Sequence, residues 1–131
     1  MNFLIDTSAL VRVLRGQVSP HWGERSERGV IAICEPVVTE TLTIAAATAY
    51  TQAEQRLTDL YPWVPVPDGA WTTVRDMRRA LAARSAHQGI SVADYLIAVT
   101  AIHHDLTLLH DDADFGTVAA IVPALRQERI S

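Results

Sequence analysis

Short apolar runs alternate with segments of helical periodicity along the whole chain, and this alternation is the feature that most constrains the fold. Phe3 to Ile5, Val30 to Cys34 and Thr107 to Leu109 are too short for helices and rich in β-branched or large apolar residues, so they read as buried strands. The segments between them carry helix signals. Thr7 or Ser8 can cap a helix that runs to about Leu14 and stops at Gly16. Ser19 to Arg28 suits a short surface helix, and Pro36 suits the first turn of a helix continuing to about Ala49. Further helices are expected over Gln52 to Leu60, from an Asp68 cap to about His87, and from a Ser91 cap to about His103. In the second of these Trp71, Val74, Met77 and Leu81 form one apolar stripe. Asp112 to Ala119 reads as helical, Ile121 to Leu125 as a last short strand, and the proline-flanked Trp63 to Val66 as an edge strand or loop. Strands joined through helices imply an α/β fold, a parallel sheet with helices on both faces, formed by residues 1–131 as a single domain.

Composition then removes several classes of function. A chain of 131 residues with 49% apolar content can fill one core. The opening MNFLIDTSAL has neither a basic start nor a long apolar stretch, and Leu42 to Tyr50 is too short to span a bilayer, so a cytoplasmic protein without membrane attachment is expected. Cys34 is the only cysteine, which excludes an internal disulfide or a cysteine zinc site, and its place in VIAIC suits a buried apolar residue. The net charge of −4 argues against nucleic-acid binding by bulk positive charge, yet it permits an enzyme whose acidic site binds cations. All eleven basic residues are arginine, so any chemistry that needs a lysine is ruled out.

The acidic residues carry the candidate chemistry. Asp6 follows the first strand, and Asp111, Asp112 and Asp114 follow the third. Ligands of open parallel sheets bind beyond the carboxyl ends of the strands, where strand order reverses. Glu40, early in the helix after the second strand, can reach the same edge. Asp94 stands in the first turn of the Ser91 helix, inside an otherwise apolar segment, with Ala98 and Ala101 on its face. Each acid also has a structural reading: Asp6 as a helix cap, Asp94 as half of a capping box with Ser91, Glu40 as an ordinary helix residue, the last three as a solvated turn. The joint pattern favours a site. Carboxylates gathered at one edge repel, at least one pKa rises, and a hard divalent ion such as Mg²⁺ or Mn²⁺ relieves the repulsion. Metal-assisted phosphodiester hydrolysis is the chemistry that such a set performs.

FLIDTSAL, VVTETL, SVADYLIAVTA and LLHDDADF, in that order and spacing, resemble the PIN-domain ribonucleases, in particular the VapC toxins of type II toxin–antitoxin modules. The resemblance spans Asn2 to about Phe115. It implies a PIN-like α/β/α sandwich with a parallel sheet of about five strands, and metal-dependent endoribonuclease action that leaves a 5′-phosphate. It also implies Mg²⁺ or Mn²⁺ as cofactor, a homodimer, and a cognate VapB-type antitoxin whose tail occludes the site. By motif, Asp6, Glu40, Asp94 and Asp112 take the positions of the acidic quartet, and Asp114 matches a further acidic position. Ser8, with Thr7, matches the hydroxyl support of the first aspartate. Asp111 lies one residue out of register and could exchange roles with Asp112. The family commonly has threonine where this chain has His110, which puts the hydrogen bond made there in doubt.

Among the remaining residues, His103 and His104 read as helix-end imidazoles rather than ligands, and His110 as a candidate neighbour of the site. Arg12, Arg15, Arg75, Arg78 and Arg79 are candidate phosphate contacts. Trp63 and Trp71 read as core or dimer contacts before base-stacking platforms. A receiver domain or aspartyl phosphatase would need the absent lysine, and the phosphatase a second acid where Ser8 stands. A metal-dependent adhesion module would need a serine at Leu10. A PIN nuclease of RNA maturation, or one without catalysis, fits less well than the toxin reading, because the chain is compact and all four acids are present.

Overall fold

In the computed structural model, which describes residues 1–130, four parallel strands form one sheet in the order β2-β1-β3-β4. The strands are β1 (Phe3–Ile5), β2 (Ile31–Ala32), β3 (Thr107–His110) and β4 (Gln127–Arg129). Seven helices connect or flank them: α1 (Thr7–Leu14), α2 (Pro20–Glu27), α3 (Glu35–Thr43), α4 (Tyr50–Leu60), α5 (Ala70–Ala83), α6 (Val92–His103) and α7 (Ala113–Ile121). The first three strands are buried on both faces, as parallel sheets covered by helices require: Leu4, Ile5, Ile31, Ala32, Leu108 and Leu109 are all fully inaccessible. The result is an α/β sandwich about a single core.

Local chemistry explains most boundaries. Gly16 adopts φ +66°, a left-handed conformation that a side chain would strain, and α1 ends just before it. Ser91 accepts the Asp94 N–H and opens α6. The stripe of α5 buries Ala70, Val74, Met77 and Leu81, and the helix packs against α6, while α3 packs against α1 and α6.

Several expectations need correction. The sheet has four strands rather than about five. Trp63 makes a single parallel bridge to Ile33 on the outer edge of β2, and the flanking Pro62 and Pro65 lack the N–H groups that would extend a ladder there. The last strand lies at Gln127–Arg129, whereas Ile121 closes α7. Its side chains are exposed, so it carries no apolar signature, and pairing with β3 defines it. The helix expected to run from Pro36 to Ala49 stops at Thr43 and resumes as a single 3₁₀ turn, Ala47–Ala49. Asp68 does not cap α5, whose N-cap is Gly69, and the helix ends at Ala83. Trp71 is 60% exposed and Trp63 58%, so neither belongs to the core.

The register of β4 is testable at its end. Ile130 is buried and its N–H donates to the His110 carbonyl at 2.7 Å. Ile130→Ala is expected to lower stability by about 2–4 kcal/mol in urea titrations, and Glu128→Ala to change it by less than about 0.5 kcal/mol. Equal effects would place the chain end outside the sheet.

Candidate metal centre

The reversal of strand order falls between β1 and β3, since the chain leaves β1 toward β2 on one side and β3 on the other. The two strands pair in parallel, Ile5 opposite Leu109, and the Asp6 N–H continues the ladder to the Leu109 carbonyl at 3.0 Å. Asp6 therefore leaves β1 at the crevice beside the end of β3.

Asp6 is 3% exposed and caps α1, accepting the Ala9 N–H at 2.8 Å. The Ser8 hydroxyl donates to the same carboxylate, lying 2.9 and 2.8 Å from its two oxygens, and accepts the Asp111 N–H at 2.9 Å. One hydroxyl thus ties the end of β1 to the end of β3. Thr7 donates to Glu40 Oε1 at 2.6 Å, which links α1 to α3. Asp94 stands on the first turn of α6, its N–H held by Ser91 Oγ at 3.1 Å. Asp112 caps α7, with Oδ1 accepting the Asp114 N–H at 2.9 Å.

A cleft of about 480 Å³ collects these groups. It is lined by Asp6, Thr7, Ser8, Val11, Glu40, Ser91, Asp94 and Asp112. A larger concavity of about 780 Å³, between α1, α2 and α4, mixes Glu27 and Asp59 with Arg56 and has no such concentration of one charge. Each member of the anticipated quartet lines the smaller cleft. Asp111 does not, and neither does Asp114, whose recorded role is the N–H that holds Asp112.

Electrostatics separates the acids into two groups. Asp111 pairs with Arg129 at 3.2 Å and Arg12 at 3.3 Å, and the Arg129 hydrogen bond leads in holding its carboxyl below the usual range. Asp111 thus turns to the arginines, while Asp112 lines the cleft. No arginine lines the cleft itself. Burial pushes the Asp6 carboxyl up to about 6 against its hydrogen bonds to Ala9 and Ser8 and against the nearby His110 ring, and the charge of Asp94 adds to the rise. Asp94 is also raised, first by burial and then by Asp112 and Glu40. Negative charge is thus concentrated with no arginine in the lining to offset it, and the donors are hard carboxylate oxygens of the kind that Mg²⁺ and Mn²⁺ select. The cluster is gathered but open: among the described residues, no three acidic, imidazole or thiol groups stand close enough to hold an ion directly.

Other candidate residues stand outside the cleft lining. Cys34 is inaccessible and burial pushes its thiol up to about 12. His104 contacts the Pro65 carbonyl at 2.8 Å, and Arg75, Arg78 and Arg79 lie exposed on α5 away from the cleft lining. Sequence reasoning missed Gln127, which contacts His110, because β4 was placed too early, and it missed the pairing of Arg12 and Arg129 on Asp111, which depends on the same strand.

An open parallel sheet with carboxylates lining a cleft at its switch point belongs to the α/β class whose ligands bind beyond the strand ends. The PIN domain family matches residues 3–121, and the chain belongs to that family. Within it the chain is 34% identical to Ribonuclease VapC6 of Mycobacterium tuberculosis over 107 residues, covering 81% of this chain and 84% of that one. It is 37% identical to Ribonuclease VapC2 of the same species, covering 92% and 86%. Its fold matches VapBC-1 of nontypeable Haemophilus influenzae (TM-score 0.78, 12% identity, 98% of both chains). It also matches VapBC2 of Rickettsia felis, solved bound to a DNA fragment from its promoter (TM-score 0.77, 17% identity, 100% of both chains).

The buried charge of Asp6 has a measurable sign. A carboxyl raised from 3.8 to about 6 on folding penalises the folded state, with no cost below about pH 4 and the full cost above about pH 6. In chelator, Asp6→Asn keeps an oxygen for the Ala9 N–H and is expected to stabilise the protein at pH 7.5 by up to about 3 kcal/mol. The gain should vanish near pH 4. A variant less stable than the parent at pH 7.5 would show that the charged form is not the strained one.

Proposed function

We propose that this chain is a metal-dependent endoribonuclease that acts as the toxin of a toxin–antitoxin pair. The observation that carries this reading is the cleft lined by Asp6, Glu40, Asp94 and Asp112 and by no arginine, in a PIN-domain chain whose relatives are VapC ribonucleases. On this reading the four carboxylates hold Mg²⁺ or Mn²⁺. When bound, such an ion activates water and neutralises charge that develops on the phosphodiester.

The chain's own residues then have separable tasks. Ser8 and the Ala9 N–H orient the Asp6 carboxylate. Thr7 holds one oxygen of Glu40 and leaves Oε2 for the cleft. Asp94 is presented by a cap that uses its backbone N–H, which leaves its carboxylate available. The Asp114 N–H fixes one oxygen of Asp112. Hydrolysis at this centre leaves a 5′-phosphate. The reading implies RNA as substrate, a cognate VapB-type antitoxin and a homodimer, and action in the cytoplasm. No helix among the described residues is long and apolar enough to cross a membrane.

Asp94→Asn keeps the cap, because Ser91 holds the backbone N–H. The variant should retain the fold and cleave at least about a hundredfold more slowly, as expected when an ion-binding carboxylate is lost. Mapping 5′ ends of total RNA after brief induction tests this. New 5′-phosphate ends at a few sites, with the parent only and abolished in lysate by chelator, are expected. Equal cleavage by Asp94→Asn would reduce Asp94 to a helix cap.

A further inference from the structure

The family resemblance leaves His110 without a role, yet it is one of four buried polar side chains among the described residues, at 2% exposure. It stands at the carboxyl end of β3, two residues before Asp112. Its Nδ1 lies 3.1 Å from the Asp112 N–H, and its Nε2 lies 2.6 Å from Oε1 of Gln127 on β4. The Phe115 ring packs beside the imidazole at 5.4 Å.

These two partners fix one tautomer. A backbone N–H can only donate, so Nδ1 must present its lone pair, and the ring proton resides on Nε2, where it donates to the Gln127 carbonyl oxygen. The other tautomer would set N–H against N–H at Asp112 and a lone pair against an oxygen at Gln127. The parallel register makes the contact possible. Gln127 pairs with Leu108, two residues before His110, so both side chains share a sheet face as diagonal neighbours. Asp112 is then held at two points: its N–H by His110, and Oδ1 by the Asp114 N–H. Its Oδ2 makes no hydrogen bond among the described residues.

We infer that His110, locked by Gln127 as the Nε2–H tautomer, is a positioning residue that holds Asp112 with a carboxylate oxygen facing the cleft. The imidazole acts through the Asp112 backbone and touches neither ion nor substrate. Groups outside a metal site that orient its ligands alter affinity by about ten- to a hundredfold when removed. This role rests on the proposed metal centre, and the variants below separate the two.

Two-bond ¹⁵N correlation spectra of the metal-free protein should show His110 protonated at Nε2. Calorimetry with Mn²⁺ alone then compares the parent with Asp112→Asn, His110→Leu, His110→Asn and Gln127→Leu. Gln127 is exposed, so its replacement leaves the core untouched and should mix the tautomers while weakening Mn²⁺ about three- to tenfold. His110→Leu should weaken binding about ten- to a hundredfold. His110→Asn, which offers an oxygen to the Asp112 N–H, should recover most of that loss. A ring that merely fills space would make Asn no better than Leu. An Nδ1–H spectrum overturns the inference, as does parental Mn²⁺ affinity in His110→Leu and Gln127→Leu while Asp112→Asn binds weakly. Parental affinity in Asp112→Asn, or no Mn²⁺ binding by the parent, would instead overturn the metal centre itself.

Discussion

The parallel pairing of β1 with β3 is the constraint on which the acidic cleft depends. It places the ends of two strands, distant in sequence, side by side at the point where the connections diverge. Ser8 then joins those ends through one hydroxyl, which donates to Asp6 and accepts from Asp111. A half-buried hydroxyl used in both senses leaves neither partner unsatisfied, and it converts two adjacent loops into one geometry. α3 and α6 contribute Glu40 and Asp94 to the same cleft, and their packing against each other and of α3 against α1 sets how closely those acids approach.

Charge is distributed on the same principle. At the end of β3, adjacent residues have opposite fates: Asp111 meets two arginines, while Asp112 joins a cleft lined by no cation. Arg12 comes from α1 and Arg129 from β4, so the ion pairs fasten elements on either side of β3. Partly exposed pairs of this kind contribute modestly to stability. Their larger effect is directional, because they remove Asp111 from the cleft and leave the adjacent carboxylate to face it. The burial of Asp6 works against stability and persists because the cap of α1 and the strand junction need an acceptor at that position.

β4 has a place in this arrangement out of proportion to its three exposed residues. It supplies Arg129 to Asp111 and Gln127 to His110, and Arg126 just before it is tethered to the carbonyl and carboxylate of Asp105. A sheet edge of this kind orders the loop that carries the last acid of the cluster. At His110 the imidazole reaches the Asp112 N–H on one side and finds a partner on the neighbouring strand with the other.

Much of this molecule was legible in its residues. The alternation of apolar runs and helical segments determined the α/β class, and the strand-end positions of Asp6 and Asp112, with Asp94 alone in an apolar helix, marked the acids that line the cleft. These are local properties, set by periodicity and by the cost of an unpaired charge among apolar neighbours. Tertiary structure alone decided the strand order, which of Asp111 and Asp112 lines the cleft, the course of β4 and the partners of His110. Each depends on backbone hydrogen bonds or ion pairs between segments far apart in the chain. Gln127–Arg129 shows why: its residues are exposed and polar, so nothing in their own sequence marks a strand, and only the open edge of β3 makes them one.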